Sequence, residues 1–257
     1  MNAGIMRFGF VACLCLALPI GGVARAAAGA DQDRPSLLAV WFALQASGPI
    51  YPPYAYIRHR DTQAAQTARK QRLLEELDDL VWYLDTAGNA ALTQALGQWQ
   101  DQIRGADDYR SPGHWGAAAL LSSPRNGVPL SVVAAVGACQ VPNWIEIWSA
   151  QGVQRIDWQP RMRLSSLLAH SAVVQQARAQ TVTLVTPFGA TVDRGIAPWN
   201  HQDIPLVPGM RIVVPLPLEG QVAVWLQKTL PAFLAHLLPA DKCRQITLKH
   251  EAAGGAG

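Results

Sequence analysis

An α+β fold in two successive domains is what this sequence predicts, on three observations. Apolar residues recur at three- and four-residue spacing between Gln63 and Ile103; past a stretch rich in Pro, Gly and Ser, short β-branched and aromatic runs replace that period; a helical stripe then returns from Val222 to Leu238. Strands wrapped around few helices describe an α+β layer rather than a regular βαβ alternation.

The elements follow in order. Arg7, the uncharged run Phe8 to Val23 and the small-residue steps at Ala24-Arg25-Ala26 and beyond read as a cleaved secretory leader over residues 1–26. The run is shorter than the roughly 20 apolar residues of a membrane span, and no charged flank follows it. A domain is expected over residues 31–127. It begins with the apolar run Leu37 to Leu44 and a Gly-Pro and Pro-Pro segment, Gly48 to Tyr54, read as turn or loop. A helix over Gln63 to Asp85 sets Leu73, Leu77, Leu80 and Leu84 against charged residues on its other side, and Gly88 ends it. A second helix, Asn89 to Ile103, carries Leu92, Leu96, Trp99 and Ile103, so the pair forms an antiparallel hairpin.

The domain boundary is placed near Pro124 to Gly127. In the second domain, residues 128–218, strands are expected at Leu130–Val136, Asn143–Ser149, Val153–Trp158, Thr181–Thr186, Ala190–Arg194 and Met210–Pro215, with one helix at Arg163–Arg178. Residues 219–240 form an amphipathic end helix, kinked at Pro231, and residues 241–257 a tail.

Composition excludes several function classes. Removing Arg7 and Arg25 with the leader lowers the 21 basic residues to 19 against 18 acidic ones, a net charge of +1 that gives no basic face for nucleic acid. Cys139 and Cys243 are the thiols left after the leader; an oxidising compartment permits a disulfide, and two buried free thiols fit equally well. The six histidines are scattered, no zinc-protease, phosphate-loop or nucleophile-elbow pattern occurs, and so no catalytic residue, metal site or cofactor is assigned. A glycosidase would need paired carboxylates, for which Glu146, Asp157, Asp193, Asp203 and Glu219 are sparse candidates that read more simply as turn or solvated residues.

Two features remain as candidate sites. Nine tryptophans stand in a weakly charged chain; Trp82 and Trp99 read as core residues, whereas Trp158 and Trp199 lie where exposure and stacking on a sugar ring are credible. Arg155, Asp157, Trp158, Arg161 and Arg163 crowd the run RIDWQPRMR, and with Trp199 they make a candidate ligand site, since guanidinium groups grip carboxylates and phosphates. The plainer alternative is an Asp157–Arg pair with the remaining cations solvated. On the end helix, Leu226, Leu230, Phe233 and Leu237 are candidates for docking a partner or a membrane surface, against the alternative of packing on their own domain.

Taken in order, SVVAAVGACQVP, WIEIWSAQGVQRIDWQPRMRLSSLLAHS, VTLVTPFGATVDRGIAPWN and LVPGMRIVVPLP resemble the soluble ligand-binding β-grasp (SLBB-like) domains of bacterial polysaccharide export proteins, and most of all the GfcC family of capsule biosynthesis proteins. The resemblance is densest over Ser131 to Pro217. It implies two tandem β-grasp domains, the first carrying the helical hairpin, and a C-terminal amphipathic helix. For function it implies a periplasmic, non-enzymatic accessory role in capsular or extracellular polysaccharide assembly and export, with the glycan or the export proteins of the envelope as partners. A glycan-binding module independent of export is the alternative, and a polysaccharide hydrolase or lyase a more distant one.

Overall fold

The structure, a computed structural model, describes residues 36–122, 128–169 and 179–249. The leader over 1–26, the boundary at 124–127, the second half of the helix expected at 163–178 and the Ala-Gly end of the tail lie outside them. The architecture is mixed α+β, with two sheets of three and five strands.

The small sheet is built from distant parts of the chain. Helix α1 (Leu37–Ala46) starts at Ser36, whose Oγ accepts from the Ala39 N–H at 3.1 Å, and buries Val40, Trp41 and Leu44. A 3₁₀ turn at Pro52–Tyr54 then leads into strand β1 (Ala55–His59). Strand β2 (Val133–Cys139) pairs antiparallel with β1 on one side and with β8 (Cys243–Thr247) on the other. Cys139 and Cys243 face each other in that register and form a disulfide. Two expectations differ here. The run after Leu130 belongs to the sheet of the first half, because its neighbours are β1 and β8; and the segment expected as tail contains a strand, which its alternating polar residues concealed.

The five-stranded sheet has the order β4-β3-β7-β5-β6. β3 (Trp144–Ser149) and β4 (Gly152–Asp157) form one hairpin, β5 (Thr181–Val185) and β6 (Thr191–Gly195) another, and β7 (Arg211–Val213) lies between them, parallel to β3 and antiparallel to β5. Gly152 closes the first hairpin at φ +96°, and a Cβ there would collide with the Gln98 side chain, so glycine serves both the turn and the approach of a helix.

Side chains alternate across this sheet and divide its environment. Ile145, Ile147, Leu184 and Ile212 point to one face, where α5 (Leu164–Ala169) covers them with Leu164, Leu167 and Leu168. Trp148, Val185 and Val213 point to the other, under three helices. Two of these, α2 (Thr62–Thr86) and α3 (Ala90–Arg104), form the hairpin, capped at Asn89. Trp99 fastens it to the sheet, stacking edge-on to Trp148 with centroids 5.6 Å apart and donating its Nε1–H to the Ser149 carbonyl at 3.2 Å. The third, α6 (Gln221–Leu234), lies in the same core. A short helix α4 (Ala117–Ser122) and a 3₁₀ turn at Leu130–Val132, just before β2, complete the described elements. Trp82, expected in the core, is 71 % exposed: it falls outside the Leu73, Leu77, Leu80, Leu84 stripe that faces α3 and the sheet.

Candidate functional site

Strand β4 separates the residues of the RIDWQPRMR run. Ile156 joins the core under α5, as does half-buried Trp158, whose Nε1–H donates to the Leu206 carbonyl at 2.8 Å. Arg155 faces the opposite side of the sheet. Its guanidinium bonds to buried Glu146 at 2.9 Å and to Asp241 at 2.9 Å, over the Trp144 ring at 4.4 Å. Arg163 is tied to Asp203 by an ion pair and a 3.0 Å bond to the Asp203 carbonyl, which holds that carboxyl down at about 2. Asp157 and Arg161 are exposed, Arg161 with a left-handed backbone at φ 68°. Trp199 is 72 % exposed in the turn after β6. The structure therefore brings Arg155 to a charge network and leaves Asp157, Arg161 and Trp199 open to solvent.

That network is centred on Glu146. Burial pushes its carboxyl up, but the charge of Arg211, the Trp148 Nε1–H and Arg155 outweigh it and leave the carboxyl below its ordinary value. Arg211, itself buried, bonds Glu146 at 3.2 Å and donates to the carbonyls of Leu234 and Leu238 at the end of α6, so one carboxylate joins the sheet to that helix. Of the other candidate carboxylates, Asp193 accepts from the Thr183 hydroxyl at 2.6 Å. Among the described residues no group of three or more His, Cys, Asp or Glu side chains is placed to hold a metal ion.

The stripe of the end helix is interior. Leu226, Leu230 and Phe233 are at most 3 % exposed, in the core with the hairpin and the sheet, and Leu237 packs against that core. They offer no partner a surface, because the hairpin and sheet already cover the apolar face. The side of α6 that stays open carries Val222, Val224, Lys228 and the edge of Trp225.

Two hollows meet at Trp225. One, of about 350 Å³, lies between α2 and α6 and is lined by Ala65, Ala68, Arg69, Arg72, Trp225 and Thr229. The other, of about 390 Å³, continues along α6 past Gln221, Val224 and Lys228. No carboxylate lines either one. A third cavity of about 310 Å³ lies between α1, α4 and the loop at Phe188, with Trp41, Gln45 and His114 in its wall. Sequence reasoning missed the α2–α6 groove. Arg69 and Arg72 look like ordinary solvated positions on α2, and Trp225 like part of a helical stripe, until the two helices are set side by side.

The two-sheet frame, with a covered helix and an open basic and aromatic groove, defines an α+β chain. Residues 152–232, from the β3–β4 turn to the last turn of α6, match the family described as Capsule biosynthesis GfcC C-terminal. Over these residues the chain is similar to that family. No curated protein matches the sequence. Among the described residues, no helix is long and apolar enough to cross a membrane.

Proposed function

We propose that this chain is a periplasmic, non-enzymatic accessory protein of capsular or extracellular polysaccharide assembly and export, acting by binding the export machinery or the glycan. The observation that carries the reading is the family match over residues 152–232. Three others support it. The leader-like first 26 residues suit export, the Cys139–Cys243 bond suits an oxidising compartment, and Glu146 and Asp203 are each held by arginines, which leaves neither free for paired-carboxylate chemistry. The larger sheet supports a β-grasp reading: two hairpins flank the central strand β7, which runs parallel to β3, and α5 follows the first hairpin. On the same reading the small sheet with α1 is the remnant of a tandem first domain into which the helical hairpin is inserted.

Contact with the machinery or with a membrane surface falls to the outer side of α6, where Val222 and Val224 are 44 % and 63 % exposed. The test is genetic. Deleting the gene in its host should abolish surface polysaccharide, and the full chain should restore it, whereas a chain lacking residues 1–26 should stay in the cytoplasm and fail to restore it. Unchanged surface polysaccharide in the deletion strain would refute the role, and recovery of the uncleaved chain from alkali-washed membranes would refute the periplasmic placement.

A further inference from the structure

We infer that the groove between α2 and α6 is a binding site for a carboxylated, uronate-type segment of glycan. The inference rests on the polysaccharide role proposed above and names the ligand class of that role.

Most lysines and arginines of the described chain bond a carboxylate or a backbone carbonyl, and Arg161, Lys242 and Lys249 are without an ion pair at scattered positions. Arg58, Lys70, Arg104, Arg155, Arg163 and Arg211 each have a carboxylate within 4.0 Å. Arg60, Arg110 and Arg244 donate to backbone carbonyls. Arg69, Arg72 and Lys228 have no ion pair among the described residues, and all three line the two hollows that meet at Trp225. Unpaired cations scattered over a surface need no explanation; these are brought to one groove from two helices.

The geometry follows from helical periodicity. Ala65, Ala68, Arg69 and Arg72 recur at three- and four-residue steps on α2, and Gln221, Trp225, Lys228 and Thr229 do so on α6. The two alanines keep the floor open, where a longer side chain would fill it. Trp225 is half-buried, packed against the core and lining both hollows, so its indole offers a fixed aromatic plane. A pyranose stacks its C–H face on such a plane while neighbouring guanidinium groups take a carboxylate through paired hydrogen bonds. The Thr229 hydroxyl and Gln221 amide are placed for the ring hydroxyls. An anionic membrane fits less well. Glu75, Glu76 and Asp79 are exposed on the next turns of α2, where they would meet a planar anionic surface but do not line the groove.

Calorimetric titration of the full chain with oligogalacturonates, with dextran oligomers and phosphatidylglycerol vesicles as comparison arms, tests this. Oligogalacturonates should bind with an affinity that weakens as salt rises, and dextran should not bind. The double variant Arg69→Gln/Arg72→Gln should lose at least about tenfold in affinity at an unchanged melting temperature, since exposed unpaired charges contribute little to stability. Trp225→Leu should abolish the transfer of magnetisation from the indole to the sugar protons seen in the parent chain. Absence of oligogalacturonate binding, or equal binding by the double variant, overturns the site. So does binding of the vesicles alone, which would make the groove a lipid headgroup site. Surface polysaccharide lost on gene deletion but restored by the double variant would leave the accessory role standing and remove only the groove.

Discussion

Glu146 shows how little a carboxylate's position in a strand says about its work. In sequence it alternates with Ile145 and Ile147 and reads as the solvated face of a strand; in the fold it is 3 % exposed and neutralises Arg211 and Arg155 beneath α6. Glu146→Gln would leave Arg211 buried without its counter-charge and should destabilise the chain by about 3–5 kcal/mol, read as a shift in the urea midpoint. Removing Arg155, half exposed and shared with Asp241, should cost far less. Acid acts on the same end of α6. The Glu146 carboxyl is lowered in the fold, so its contribution is present above the ordinary carboxylate range and lost as pH falls through the lowered value. His236 is lowered from 6.5, chiefly by burial and also by the charges of Arg69 and Arg110 against the opposing bond to the Arg110 carbonyl, so Nδ1 carries the proton of a neutral ring. Its contribution is present above 6.5 and lost on acidification. The melting temperature should therefore fall as pH drops below 6.5, and fall less in His236→Gln. The arginines of the 155–163 run were legible as a cluster, but their partners Glu146, Asp241 and Asp203 are up to 86 residues away, beyond what local pattern reveals.

Among the elements, those that bury one face were legible and those that depend on a neighbour were not. The leucine stripes of α2 and α3 announce their period because one side of each meets the core and the other meets water, and the strands of the larger sheet, covered on both faces, announce themselves by their β-branched runs. β1 is hidden in a Pro- and Tyr-rich stretch whose strand character comes from pairing with β2, and β8 is a polar edge held by β2, the disulfide and Arg244, which donates to the Gly48 and Pro49 carbonyls. The end helix was legible as amphipathic, but which surface covers its stripe is a tertiary fact. Because Leu230, Phe233 and Leu234 are fully buried in the core shared by the hairpin and sheet, truncation after Glu219 should unfold that core, seen as loss of the cooperative melting transition by circular dichroism. Leu167→Ala under the other face should cost about 2–5 kcal/mol, since Leu164, Leu167 and Leu168 are what α5 contributes there.

At the scale of the molecule, the small sheet gathers strands from the first, middle and last thirds of the chain, and the five-stranded sheet with α6 is the excursion between its second and third strands. The Cys139–Cys243 bond closes that excursion across 104 residues, so reduction, or Cys139→Ala with Cys243→Ala, should lower stability by about 4–5 kcal/mol in denaturant unfolding. The same arrangement puts a clock into biosynthesis. β2 leaves the ribosome long before β8, and until Cys243 arrives Cys139 has no partner and the third strand of its sheet is missing. A thiol-alkylating reagent added during synthesis should label Cys139 in every chain that has passed β2 but lacks Cys243, and in none that has closed its sheet, so the labelled fraction reports how many chains have yet to reach their last strand.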